Sequence, residues 1–287
     1  MSDKDTFFSA KTTIRCKGRL IDLSQPKIMG ILNVTPDSFY DGGKYTTDES
    51  VIGKVETMIS EGADFIDVGA NSSRPGAADI KADEEIKRLG RALKIIRKNF
   101  SGIILSVDTY HSEVASFVVK EYGADMINDI TAGGKDEKMF ETVSGLGIPY
   151  IMMHMQGTPR TMQSNPVYDD VVNDVLKFFS EKVKKAALAG IADIIIDPGF
   201  GFGKTLEHNY TLLSRLGDFK KILGLPVMAG LSRKSMIYRP LGITPAGALN
   251  GTTVVNTLAI CNGADILRVH DVKEAREVIT LIQGFRQ

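Results

Sequence analysis

Polar and charged side chains follow each of eight short apolar segments in this 287-residue sequence. The residues at these segment ends are Asn33, Asn71-Ser72-Ser73-Arg74, Asp108, Asn128-Asp129, His154, Asp197, Ser232-Arg233-Lys234-Ser235 and Arg268-His270-Asp271. Asp, Asn and Ser also begin helices as N-caps, so each of them alone has an ordinary structural explanation. Arg74, Lys234 and Arg268 are poor caps, and the repetition at successive segment ends therefore indicates one shared site.

Four of these residues, Asp108, Asn128, Asp197 and Lys234, predict a site for a flat polar heterocycle. The two carboxylates accept hydrogen bonds from ring N–H and NH2 groups, while the amide and the ammonium group meet ring acceptors. Arg268 adds a planar cation that can stack on such a ring. The alternative is that Lys234 forms a Schiff base, as in aldolases. Its position within Ser-Arg-Lys-Ser, among other polar groups, favours a charged lysine that binds.

A second group of residues could bind an anion together with Mg2+. Its members are Asn33, Ser73, Arg74, Arg268 and His270. Arginine matches phosphate oxygens with two parallel hydrogen bonds, and Mg2+ is commonly held by few protein ligands plus phosphate oxygens. Asp37 and Asp41 could assist the metal or pair with Arg74, although TPDSFYDGG is also rich in turn formers.

The apolar segments themselves predict buried parallel strands. They are nearly continuous in hydrophobicity, as strands buried on both faces are, and helix-period segments alternate with them. Most of the helical segments lead into the next strand through a turn such as Gly-Ala-Asp. Eight such units predict a single α/β domain, a (β/α)8 TIM barrel, with an open doubly wound sheet as the alternative. Residues 12–23 predict a short β-hairpin that turns at Lys17-Gly18.

Composition limits the function classes. We expect an N-terminal extension with the hairpin over residues 1–26 and a barrel over residues 27–287. The formal net charge of +0 argues against nucleic acid or an anionic membrane as partner and leaves small-molecule substrates. Two cysteines are too few for a disulfide framework, and no apolar run approaches the ~20 residues of a membrane span. The expected compartment is the cytoplasm.

The glycine-rich segment DPGFGFGKT does not have the spacing of a phosphate-binding P-loop. Gly199 and Gly203 are separated by three residues rather than four. We interpret the glycines as a tight turn behind Asp197, with Phe202 as an apolar wall. His154 is interpreted as buried barrel packing or a polar plug rather than a general base.

The motifs taken together resemble the dihydropteroate synthase family. They are ILNVTPDSFYDGG, NSSRPGA, SVDT, INDI, GTPRTMQSNPVY, DPGFGFGK, GLSRKS and RVHD, in order from about residue 27 to the carboxyl terminus. The resemblance implies a transferase of folate biosynthesis and a sulfonamide target. It also implies the substrates 6-hydroxymethyl-7,8-dihydropterin pyrophosphate and p-aminobenzoate, Mg2+ as cofactor, and a homodimer.

The resemblance also implies residue roles. The pterin-binding set is Asp108, Asn128, Asp197, Phe202, Lys234 and Arg268, and the pyrophosphate-binding set is Asn33, Ser73, Arg74, Arg268 and His270. The p-aminobenzoate set is Phe39, Ser73, Arg74, Pro75, Lys234 and Ser235. Catalytic roles fall to Asp41, Arg74, Asp108, Asp197 and Lys234, and the metal is expected at Asn33 and Asp41. A helix starting at about Ser232 would offer free N–H groups to the carboxylate that Ser235 contacts.

The sequence departs from the family pattern at Asn71, where ESTRPG is the usual motif and glutamate the usual residue. Any role of that carboxylate is not transferred to this chain. Two other function classes remain open at this point: a pterin-dependent methyltransferase on the same barrel, and a pterin-binding protein that lacks catalysis. The TPDSF and SRKS segments argue against the methyltransferase, and Asn71 is what favours the non-catalytic protein.

Overall fold

A computed structural model of the protein describes residues 11–16, 18–34, 48–71, 80–158, 162 and 166–285. The strands are β1 (Thr13–Cys16), β2 (Arg19–Asp22), β3 (Lys27–Asn33), β4 (Phe65–Gly69), β5 (Ile104–Asp108), β6 (Met126–Asp129), β7 (Tyr150–Met153), β8 (Ile194–Asp197), β9 (Met228–Ala229) and β10 (Ile266–Val269). The helices are α1 (Asp48–Ser60), α2 (Ala82–Asn99), α3 (Ser112–Tyr122), α4 (Met139–Leu146), α5 (Val171–Leu188), α6 (Leu206–Ser214), α7 (Leu216–Leu223), α8 (Ser235–Tyr238), α9 (Leu249–Cys261) and α10 (Val272–Phe285). Pro245–Gly247 forms a 3-10 turn.

Strands β3 to β10 form a parallel sheet that closes on itself. The first of them, β3, pairs with the last, β10. A parallel bridge between Ile196 and Val227 joins β8 to the residues before β9, and the Ile196 N–H donates to the Pro226 carbonyl at 3.0 Å. An open doubly wound sheet would leave two unpaired edges, so this closure confirms the predicted (β/α)8 barrel. Each of the eight predicted apolar segments contains one barrel strand.

The barrel interior changes from apolar to polar along its axis. Side chains alternate across a strand, so Phe65, Asp67 and Gly69 of β4 share the inner face. The parallel register places Asp67 beside Ser106 and Gly69 beside Asp108. Apolar residues therefore fill the amino-terminal half, while carboxylates and amides occupy the half that opens at the carboxyl ends of the strands.

The hairpin of β1 and β2 covers the amino-terminal end of the barrel. Its strands pair as predicted, with Cys16 opposite Arg19 across the turn. Its buried side chains and Leu23 pack against the lowest layer of the barrel, formed by Met29, Phe65, Met126, Ile151, Ile195, Met228 and Ile266. The mouth at the carboxyl ends of the strands is therefore the end available for a ligand.

The predicted Gly-Ala-Asp turns have the same structure at three places at the amino-terminal end of the barrel. Gly62, Gly123 and Gly263 have φ between +62° and +98°, a conformation that an L side chain rarely adopts. The aspartate that follows each glycine accepts a hydrogen bond from a backbone N–H of a neighbouring strand. These bonds are Ile28 N to Asp64 Oδ2 (2.9 Å), Leu105 N to Asp125 Oδ2 (2.8 Å) and Val227 N to Asp265 Oδ2 (2.9 Å). The turn therefore joins helix to strand and strand to strand.

Each of these aspartates also pairs with a cation from a neighbouring element. Arg276 pairs with Asp64 at 2.7 Å, Lys220 pairs with Asp265 at 2.5 Å, and Arg97 pairs with Asp125. The Asp125 side chain is 3% exposed. A buried carboxylate with both a cation and an N–H partner is costly to disturb, because removing it leaves two unpaired polar groups.

We predict that Asp125→Ala lowers the free energy of unfolding by about 3 kcal/mol, because it leaves Arg97 and the Leu105 N–H without this partner. Urea denaturation followed by circular dichroism measures the change. Asp48→Ala is the control, since Asp48 and Arg91 form an ion pair in which both side chains are more than half exposed. That control should cost less than about 1 kcal/mol, and an equal loss in both variants would contradict the structural role of the turn.

Candidate active site

Arg268 forms the centre of the polar interior. It lies on β10, and its Nε donates to Asp67 Oδ2 at 2.7 Å while its Nη2 donates to Asp108 Oδ2 at 3.0 Å. Asn128 Nδ2 donates to the same Asp67 oxygen at 3.0 Å. Four strands thus meet at one guanidinium group, and the planar, permanently charged fork of arginine suits this bridging position.

Asp108 titrates near neutrality. Burial raises the pKa of Asp108 to about 7, Arg268 opposes that rise, and the charge of Asp67 adds to it. The ionised carboxylate is therefore available at slightly alkaline pH and is lost below neutrality. Carboxylates with such shifted pKa values in a cleft are typical of functional sites.

Asp197 lies on the opposite side of the mouth, at the end of β8. It is 3% exposed, and its Oδ1 accepts a hydrogen bond from the Gly199 N–H at 2.8 Å. Burial raises the pKa of Asp197, whereas Lys234 and the Gly199 N–H lower it. A side chain at Gly230 would lie 3.6 Å from Asp197 Oδ2 and 3.7 Å from Lys234 Nζ, so glycine keeps the space between these two groups open.

Lys234 and Phe202 form one wall of the cleft. The Lys234 Nζ donates to the Phe200 carbonyl at 2.5 Å and lies 4.8 Å from the centroid of the Phe202 ring. Burial lowers the pKa of Lys234 to about 8, while Asp197 opposes that change. The amine is therefore mostly charged at pH 7, as predicted for a lysine that binds.

The segment before α8 corrects one prediction. The helix expected to begin at about Ser232 begins at Ser235 and is 4 residues long. Ser232 to Lys234 form a turn instead, because Arg233 adopts a left-handed conformation with φ of 56°. Two hydrogen bonds from Arg233 to Asp271, at 2.9 and 2.6 Å, hold this turn against the residues after β10. Lys234 precedes the helix in an extended conformation.

Asn33 and His270 lie at the rim of the mouth. A Cβ at Gly69 would lie 3.6 Å from Asn33 Oδ1 and 3.4 Å from Asp108 Cβ, so both polar residues border this glycine. His270 Nδ1 lies 3.0 Å from Ser232 Oγ. Loss of water around the ring and the charge of Arg268 lower the pKa of His270, which keeps the imidazole neutral at pH 7.

Several predicted site residues lie outside the described residues. They are Asp37, Phe39, Asp41, Ser73, Arg74 and Pro75. The structure brings together the other predicted residues: Asn33, Asp108, Asn128, Asp197, Phe202, Lys234, Ser235, Arg268 and His270 surround the mouth at strand ends or directly after them. The part of the chain that the structure describes contains no helix long and apolar enough to cross a membrane. It also contains no cluster of three or more His, Cys, Asp or Glu residues that could hold a metal ion.

Sequence reasoning missed Asp67. This residue is 0% exposed and stands inside β4, within an apolar segment whose chemistry was expected only at its end. Strand alternation was the available signal, since it places Asp67 on the same face as Gly69. Asp67 Oδ1 and the neighbouring Ser106 Oγ have no hydrogen-bond partner within the described residues.

His154 and Asn71 each have a partner within the protein. His154 is buried, as predicted, with 6% exposure. Its Nδ1 lies 2.9 Å from the Nζ of Lys204, a buried lysine that the sequence did not single out. Asn71, the departure from the family pattern, donates from Nδ2 to the Tyr110 hydroxyl at 2.6 Å. It therefore has a structural partner in this chain.

The geometry suits a flat, nitrogen-rich ring bound edge-on. Asp197 is buried and Asp108 is partly buried, and they are acceptors on two sides of the mouth. Asn128 and Lys234 supply an amide and a charged donor. A ring with N–H and NH2 donors next to acceptors can pair with all of these groups. Arg268 and His270 add cationic or N–H donors at the rim, where an anionic substituent of the ring would lie.

Comparison with known proteins identifies the family. Residues 29–270 match the model of the pterin binding enzyme family. The chain is 44% identical over 270 residues to the dihydropteroate synthase of Escherichia coli (strain K12), covering 93% of this chain and 94% of that protein. It is 43% identical over 268 residues to the enzyme of Haemophilus influenzae, covering 93% of this chain and 96% of that protein.

Solved structures agree in fold. The dihydropteroate synthase of Yersinia pestis, in complex with a sulfonamide drug, has a TM-score of 0.89 and 39% identity over 96% of this chain and 99% of its own. The enzyme of Xanthomonas albilineans, with 4-aminobenzoic acid, has a TM-score of 0.88 and 38% identity over 96% of this chain and 98% of its own. From sequence, fold and site together, the chain belongs to the dihydropteroate synthase family of pterin-binding enzymes.

Proposed function

We propose that the protein condenses 6-hydroxymethyl-7,8-dihydropterin pyrophosphate with p-aminobenzoate, giving 7,8-dihydropteroate and pyrophosphate in folate biosynthesis. The observation that carries this function is the convergence of polar side chains at the carboxyl ends of the barrel strands, namely Asp67, Asp108, Asn128, Asp197, Lys234 and Arg268. It is complementary to the amino-pyrimidinone edge of a pterin. The family membership supports the same reaction, a transfer that places the activity among the transferases.

The reaction replaces a C–O bond at the pterin methylene with a C–N bond. As the C–O bond breaks, its electron pair leaves with pyrophosphate, and positive charge develops on the pterin. Ionised Asp108 and Asp197 stabilise that charge through the ring N–H groups they accept from, an electrostatic contribution that often dominates catalysis. The amine of p-aminobenzoate attacks the methylene and then loses a proton. No nucleophile from the protein is required.

The rim residues provide the anion-binding part of the proposal. Arg268 can donate to pyrophosphate oxygens, and neutral His270 retains an N–H for the same purpose. Arg74 and Ser73 are assigned to the pyrophosphate and to p-aminobenzoate by family resemblance, together with Phe39, Pro75 and Ser235. Lys234 contributes to both pockets because it stands between the Phe202 wall and the turn before α8.

Mg2+ is the proposed cofactor. The Asn33 amide oxygen at the rim is a hard oxygen donor of the kind that Mg2+ prefers, and Asp41 is the proposed second ligand. A site with so few protein ligands fits a metal whose other ligands are phosphate oxygens and waters. When bound, Mg2+ would neutralise negative charge on the departing pyrophosphate. The proposed location is the cytoplasm, where reduced cysteines such as Cys16 and Cys261 persist.

A homodimer is proposed through α9. Val254 and Leu258 are exposed on one face of this helix, 52% and 44% respectively, and Leu241 lies against Gly251 on the same face. Residues 251, 254 and 258 have the spacing of one helical stripe. An apolar stripe of this kind is typical of a surface that another subunit covers.

The enzyme assay decides the main proposal. We predict that the purified protein, supplied with Mg2+, pterin pyrophosphate and p-aminobenzoate, forms 7,8-dihydropteroate detectable by chromatography. Asp197→Asn should lower kcat/KM for pterin pyrophosphate by about a hundredfold, because it removes a charge that opposes the developing cation. Asp169→Asn, at an exposed residue beyond β7, is the matched control and should behave as wild type. Absence of product with the wild-type protein would overturn the proposal.

The pH dependence follows from Asp108. We predict that kcat/KM for pterin pyrophosphate falls as the pH drops below about 7, because protonation of Asp108 removes its negative charge. Asp108→Asn should have low activity at every pH. Its kcat/KM should not show the fall below pH 7 that protonation of Asp108 causes in the wild type. Stopped assays between pH 5.5 and 9 measure the profile. An unchanged profile in Asp108→Asn would show that another group controls the decline.

The oligomeric state has its own test. We predict that Leu258→Glu shifts the protein from dimer to monomer in sedimentation velocity, because a buried charge at the interface is costly. Leu188→Glu is the control, since Leu188 is 80% exposed at the end of α5 and away from the stripe. A wild-type protein that sediments as a monomer would remove the dimer proposal without affecting the proposed reaction.

A further inference from the structure

Lys204 ends the loop that follows β8, residues 198–204, and points back into the protein. The residue is 3% exposed. Its Nζ donates to the Gly199 carbonyl at 2.9 Å and to the Phe202 carbonyl at 3.0 Å, and it lies 2.9 Å from His154 Nδ1. These three close acceptors match the three N–H donors of an ammonium group, whereas a neutral amine has only two. A fourth acceptor, the His154 carbonyl, lies farther away at 3.4 Å.

The His154 ring provides the third acceptor for the Lys204 ammonium group. Burial and the charge of Lys204 lower the pKa of His154 to about 2, so the imidazole is neutral and one ring nitrogen has a free lone pair. Phe178 packs edge-on against the ring with centroids 4.8 Å apart, which holds its orientation. The His154 backbone N–H donates to the Asp197 carbonyl at 3.0 Å, so the same residue also anchors the end of β8.

The loop of residues 198–204, which Lys204 holds in place, contributes two parts of the cleft. Gly199 donates its N–H to Asp197 Oδ1, and the Phe202 ring forms the wall beside Lys234. The approach is close: a side chain at Gly199, where φ is +72°, would meet the His154 carbonyl at 1.9 Å. The position of this loop therefore depends on contacts that lie behind it, in addition to the cleft contacts of Gly199 and Phe200.

The charge of Lys204 has no direct ion pair in the described part of the chain. Burying a lone ammonium group is unfavourable, and burial lowers the pKa of Lys204 well below its usual range while Asp197 opposes that change. Lys204 in turn lowers the pKa of Asp197.

We propose that Lys204 is a positioning residue for pterin recognition: with His154 it holds the loop after β8 so that Phe202 and Asp197 are in place before the ligand binds. The inference rests on the proposed function for the identity of the ligand. The positioning itself rests on the geometry of the loop. Lys204 is not in the cleft and contacts no reacting atom.

The test compares Lys204→Met with wild type. Methionine retains the apolar length of the side chain and removes the charge and the donors. We expect Lys204→Met to bind 6-hydroxymethylpterin at least about tenfold more weakly in calorimetry, the equivalent of one charged hydrogen bond. We also expect faster hydrogen exchange at the amides of Gly199 and Phe202, with unchanged exchange in β4 and β5. Lys182→Met is the matched control, because Lys182 is a half-buried lysine near Phe178 that does not contact this loop.

A second pair of variants keeps the test decisive if Lys204→Met fails to fold. His154→Asn places an amide oxygen near the former Nδ1 and should retain pterin affinity within about threefold, whereas His154→Leu removes the acceptor and should lose about tenfold. Equal affinity in the two His154 variants would overturn the proposal. So would a folded Lys204→Met with wild-type affinity, or one in which exchange rises uniformly through the barrel. If wild type binds no pterin, the proposed function fails, while the exchange measurements still decide the role of Lys204.

Discussion

The site depends on one interaction: Arg268 donates hydrogen bonds to both Asp67 and Asp108. The Arg268 side chain extends from β10 towards β4 and β5, with Nε 2.7 Å from Asp67 Oδ2 and Nη2 3.0 Å from Asp108 Oδ2. Buried carboxylates of this density are tolerated only where a cation satisfies them. The same bridge leaves Asp108 with a pKa of about 7, because burial outweighs the stabilisation by Arg268.

Charge compensation extends from this bridge around the mouth. Lys234 faces Asp197 from the turn before α8, and Lys204 supports the loop behind Asp197. Most of these groups are already held by protein partners, so little rearrangement is required when a polar ring arrives. Such preorganisation is what makes buried dipoles and charges effective in stabilising a developing cation.

The two ends of the barrel divide stability from chemistry. At the amino-terminal end, Asp64, Asp125 and Asp265 each combine a strand N–H with a cation and thereby fasten helix to strand. These side chains make their hydrogen bonds within the fold. The hairpin covers the adjacent apolar layer of the barrel interior. At the other end, the polar side chains lie where the strands end, beyond the backbone pairing of the sheet. This division is typical of (β/α)8 enzymes.

The sequence by itself determined the barrel and most of the site, because strands buried on both faces and polar residues at their ends are local patterns. Asp108, Asn128, Asp197 and Arg268 could be assigned in this way. Tertiary structure alone decided that Asp67 belongs with them, since its partner Arg268 is 201 residues away and meets it only when the barrel closes. It also decided that Ser232 lies in a turn rather than a helix, because the pairing of Arg233 with Asp271 holds a left-handed residue there. Lys204 was missed for the same reason: its acceptor on His154, 50 residues away, becomes a neighbour only when the segments after β7 and β8 pack together.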